Sequence, residues 1–113
     1  MASYAFAMPL VPGKTDVWKG YVKELNGPRS AEYKASRQRA GITKEHVFLQ
    51  STPMGDLVVV AMECDDPATV VGRLMTSTDP FDVWFRDKVL IESHGVDPAG
   101  PPPPTNETIS LGP

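Results

Sequence analysis

Tyr33 and Arg37 stand one helical turn apart, and Arg29 lies one turn before Tyr33. On a helix the three share a side. A guanidinium fork suits a carboxylate, and a neighbouring phenol can donate a proton, so this stripe could hold an anionic substrate. It could equally be a solvated face or part of an ion-pair network. His46 and Gln50 alternate in phase with Phe48. If that strand face points inward, they are polar groups in an apolar cavity, as expected of a ligand pocket; if outward, they are solvated. His94 precedes Gly95 at the end of an apolar helical pattern. There it could exchange protons, or simply complement the helix dipole. The expected site therefore lies between sheet and helices, with His46, Tyr33 and His94 as acid/base groups. Arg37, Arg29, Gln50 and Trp84 would contact the substrate.

Other chemistries find no support. Cys64 is the only cysteine, so neither an internal disulfide nor a cysteine-rich zinc site can form. Asp65 and Asp66 follow it and disfavour a thiolate, so it reads as an apolar filler suited to a reducing cytoplasm. No phosphate-cradling glycine loop, zinc-protease helix motif or serine-esterase elbow occurs. No metal or cofactor is expected. The formal charge of −3, with basic residues spread out, argues against nucleic-acid binding. There is no apolar run long enough to span a membrane, and the N-terminal stretch lacks the basic region of a signal peptide.

The elements that would position these residues follow from pattern and punctuation. The 113 residues suit one domain. Tyr4 to Met8 reads as a strand, and Val17, Trp18, Tyr21, Val22 and Leu25 repeat at helical spacing. Asn26-Gly27-Pro28 breaks that helix, which resumes over Arg29–Ala40. His46–Thr52 and the apolar run Leu57–Met62 form a hairpin about Pro53–Asp56, with the second strand expected to be covered on both faces. Asp66-Pro67 and Asp79-Pro80 each open a further helical segment. Residues 1–97 would form the domain and 98–113 a proline-rich arm, delivering a last strand at Glu107–Leu111.

This order is β, broken α, β, β, broken α, β. It predicts an α+β fold, a ferredoxin-like unit with a four-stranded antiparallel sheet and helices on one face. The apolar third strand then needs cover on its helix-free side, and a second copy of the chain is the expected cover. The arm is long enough to reach across such a homodimer.

With this layout, the hairpin HVFLQSTPMGDLVVVAME and the segment STDPFDVWFRDKVLIESHG resemble the dimeric α/β-barrel superfamily. That group holds antibiotic-biosynthesis monooxygenases, haem-degrading monooxygenases, muconolactone isomerases and stress-responsive barrel proteins. The broken first helix, PRSAEYKASRQRAGI, is similar to a bacterial branch of it. The resemblance implies a small-molecule protein, either a cofactor-independent oxygenase, isomerase or cyclase for an acidic aromatic or polyketide-like compound, or a non-enzymatic binding or stress protein. The haem-degrading members imply roles for Trp84 and for His94 as axial ligand. They also carry an asparagine on the first strand, which YAFAM lacks.

Overall fold

The computed structural model describes residues 2–101, 103–107 and 109. It is an α+β fold. Strands β1 (Ala2–Pro9), β2 (Ile42–Thr52) and β3 (Gly55–Cys64) form an antiparallel sheet in the order β1-β3-β2. Helices α1 (Thr15–Asn26), α2 (Ser30–Arg39), α3 (Val70–Thr76) and α4 (Pro80–Phe85) pack on one face. A π-helical segment, Arg86–Glu92, continues from α4. No helix among the described residues is long and apolar enough to cross a membrane.

Alternation along β3 sorts the sheet into two faces. Val58, Val60, Met62 and Cys64 are buried beneath the helices, where Tyr4, Trp18, Val70 and Val89 join them in the core. Leu57, Val59 and Ala61 are only half-buried, because no helix among the described residues packs on their side. Within the single chain the helices thus cover one face of β3. Cys64 is fully buried, and burial pushes its thiol pKa up, with Asp65 and Asp66 adding to the effect.

Helix breaks fall where the punctuation puts them. Asp79 accepts a hydrogen bond from the Phe81 N–H at 3.0 Å, and Pro80 takes the first helical position, which needs no donor. Asp82 on α4 receives hydrogen bonds from Ser36 of α2, from Ser77 (2.6 Å) and from Arg39 (3.1 Å). Burial alone would raise its pKa, but these donors hold it below the usual carboxylate range and tie α2 to α4.

Among the described residues the sheet has three strands, not the expected four. Thr108, Ser110 and Leu111 of the expected last strand lie outside the described residues, and Glu107 and Ile109 belong to no regular element. The arm nevertheless returns to the vacant edge beside β1. Tyr4 Oη donates to the Pro104 carbonyl at 2.6 Å. The Asn106 amide takes both backbone groups of Ala5, accepting from its N–H at 2.8 Å and donating to its carbonyl at 2.9 Å. One side chain so imitates a strand partner at an otherwise open edge. The described part of the arm bonds its own chain.

Candidate functional site

Between the sheet and the helices lies a cavity of about 990 Å³, walled mainly by apolar side chains such as Phe6, Val60, Met62, Leu74 and Val89. Arm prolines, among them Pro101 and Pro104, close part of its mouth. Polar groups also line it, among them Tyr33, Arg37, Glu45, His94, Lys34 and Asp97.

Tyr33, Arg37 and Glu45 form one cluster. Tyr33 Oη donates to Glu45 Oε1, and Arg37 Nε donates to the same oxygen at 3.3 Å. Arg37 Nη1 donates to Ser36 Oγ at 3.2 Å. The guanidinium carbon lies 4.2 Å from the Tyr33 ring centre and 4.4 Å from that of Phe85, so aromatic faces enclose the charge. Nη2 has no acceptor among the described residues, and no buried side-chain polar atom among them is orphaned. Arg37 itself is part of the cavity wall. Burial pushes the Tyr33 hydroxyl up to about 12; the Arg37 charge opposes this and Glu45 reinforces it. Tyr33 is thus a hydrogen-bond donor at neutral pH and not a base.

His94 is set apart. Its Nδ1 lies 2.9 Å from the Pro9 carbonyl, which can only accept, so Nδ1 carries the proton and Nε2 holds the free lone pair. Burial holds its pKa below the usual histidine range, opposed by the Pro9 bond.

Only part of the expected site converges. Tyr33, Arg37 and His94 line the cavity, whereas His46 and Gln50 lie on the opposite, helix-free face. The reason is a β-bulge between Ile42 and Lys44. Ile42 is buried under the helices, and strict alternation from it would send His46, Phe48 and Gln50 the same way. The extra residue inverts the phase, so Glu45, Val47 and Leu49 face the helices instead. Glu45 is the residue that sequence reasoning missed. Its signal was the purely aliphatic pair Val47 and Leu49, a better core face than the one bearing His46. His46 sits instead in an open hollow of about 660 Å³ on the free face, beside Lys44, Glu63 and Asn106.

Arg29 and Trp84 are not in the cavity wall either. The Arg29 guanidinium stacks 4.0 Å from the Trp84 ring centre and pairs with Glu24 and Glu32 on the surface. Of the pair implied for haem degradation, His94 lines the cavity and Trp84 does not, and β1 offers no asparagine. The residues do not fit that group. Among the described residues no cluster of three or more His, Cys, Asp or Glu side chains could hold a metal.

No family model, curated protein or solved structure matches the chain.

Proposed function

We propose that this chain is a small-molecule protein of ferredoxin-like design that pairs into a dimeric α/β barrel and takes its ligand between sheet and helices. The observation that carries the reading is the cavity of about 990 Å³, walled mainly by apolar side chains, with the paired Arg37 and Glu45 in its wall. That volume is at the upper end of what drug-sized ligands occupy, and few but well-placed polar groups are the usual means of orienting them. The ligand is a flat, largely apolar molecule with one acceptor group, such as a carbonyl, phenolate or carboxylate. Glu45 already offsets the charge of Arg37, so the acceptor need not be fully ionised.

The strand order supports the ferredoxin-like assignment, since its fourth strand would lie beside β1, where Asn106 now sits. The helix-free face supports pairing: Ala5, Ala7, Leu57, Val59, Ala61 and Phe48 share it. The single, buried Cys64 is in keeping with a cytoplasmic location. Within this frame a cofactor-independent oxygenase, isomerase or cyclase draws support from the free lone pair of His94 in the cavity. A non-enzymatic binding or stress protein draws support from the way Tyr33, Arg37 and Glu45 satisfy one another.

Anilinonaphthalene sulfonate, an aromatic anion of suitable size, tests the reading by fluorescence titration. Saturable binding of one probe per chain is expected, and Leu74→Trp, which fills the cavity, should weaken it about tenfold or more, a change of ~1.4 kcal/mol. Equal binding to the filled variant, with its circular dichroism unchanged, would place the probe elsewhere and refute the site.

A further inference from the structure

We propose that His94 is a general base that removes a proton from a carbon acid bound in the cavity, which would make this chain a proton-transfer catalyst. The inference rests on the cavity being the ligand site and adds the reaction and the atom that performs it.

The geometry builds His94 as a fixed, one-sided base. The π-helical segment ends at Glu92, and Ser93 is fully buried. The Ser93 carbonyl accepts from the Val11 N–H at 2.9 Å, and its hydroxyl donates to the Lys88 carbonyl at 3.1 Å. On the other side Gly95 takes φ 68°, a conformation that favours glycine, while its N–H bonds the Ile91 carbonyl at 2.9 Å. Backbone anchors thus hold His94 on both flanks. With Nδ1 committed to Pro9, Nε2 is the nitrogen left for a substrate, and the imidazole lines an apolar space. Short π-helical insertions recur at functional sites.

Carboxylates near His94 in sequence or in the cavity wall are engaged elsewhere. Burial lowers the imidazole pKa and the Pro9 carbonyl opposes this. Glu92 accepts from Tyr21 Oη and pairs with Lys88 at 3.6 Å, while Asp97 accepts from the Ala99 N–H at 2.9 Å. A histidine kept neutral at pH 7 is the form that accepts a proton.

The step balances without an oxidant or cofactor. Nε2 takes the proton from a carbon next to a carbonyl, and the C–H electron pair moves to the carbonyl oxygen as an enolate. Arg37 lines the same cavity, and its guanidinium is the donor group for an oxygen gaining charge there. Returning the proton to a different carbon yields an isomer. The substrate class is an apolar ketone, lactone or unsaturated acid with an acidic C–H bond.

Nitrobenzisoxazole is a suitable probe, because a base in an apolar pocket opens it. The base takes the ring C–H proton, the electron pair completes a nitrile, and the N–O bond breaks to release a coloured phenolate. The full chain should do this saturably, about 100-fold or more above the solvent reaction, the low end of what a positioned base contributes. The rate should fall as acid protonates the imidazole. His94→Gln should lose at least about tenfold of it, while His46→Ala, on the opposite face, keeps the wild-type rate. The imidazole nitrogen spectrum at neutral pH should show a proton on Nδ1 and none on Nε2. The opposite tautomer would overturn the inference. So would probe sulfonate binding with turnover that His94→Gln leaves unmoved; that result would spare the cavity reading. Neither binding nor turnover would sink both.

Discussion

Replacing Glu45 with alanine should destabilise the fold by about 3–5 kcal/mol, the usual cost of leaving one buried charge without its partner. Arg37 and Glu45 have side chains only 9% and 12% exposed, so bulk water replaces the lost partner poorly. Against a total stability of about 5–15 kcal/mol that is a large share. Tyr33 would lose its acceptor in the same stroke. Urea unfolding should show the loss as a lower midpoint with little change in slope. The double variant Arg37→Met, Glu45→Ala should recover much of it, since an apolar pair removes both charges together. A loss below about 1 kcal/mol for Glu45→Ala would mean that the pair is effectively solvated.

Phe48→Lys should dissociate the proposed dimer while leaving the monomer folded. Phe48 is 55% exposed in the single chain, next to Val59 on the free face, so its removal takes little from the core. In a two-fold interface each substitution appears twice, and two lysines would be buried without partners. Self-association should weaken about 100-fold or more, ~2.7 kcal/mol. Sedimentation should then give twice the chain mass for the wild type and the single mass for the variant. A wild type that sediments as a monomer would contradict the barrel.

Much of the framework was legible because it depends on local chemistry. The hairpin follows from two β-rich runs about Met54-Gly55, where Gly55 takes φ 120°. The break before α2 follows from Gly27-Pro28, and the start of α4 from Asp79-Pro80. What stayed hidden depends on contacts between distant segments. A single bulge after Ile42 decided whether His46 or Glu45 would meet Arg37, and no residue type there announces it. The wider turns of Arg86–Glu92 leave the apolar stripe of Val89 and Leu90 looking like ordinary helix. The Asn106 latch joins residues 101 apart in the chain, beyond the reach of any periodicity. Tyr33 and Arg37 were found because helical spacing is local. Their partner was missed because strand phase is set by the register of the whole sheet.

The claim that a small molecule enters between sheet and helices is tested most directly by mapping where one lands. Amide and methyl spectra of the labelled chain, titrated with anilinonaphthalene sulfonate, should shift at Val58, Val60, Met62, Leu74 and Val89 along the cavity wall. Phe48, Val59 and Leu57 on the free face should stay in place. Shifts confined to those three, or none at saturating probe, would contradict the account.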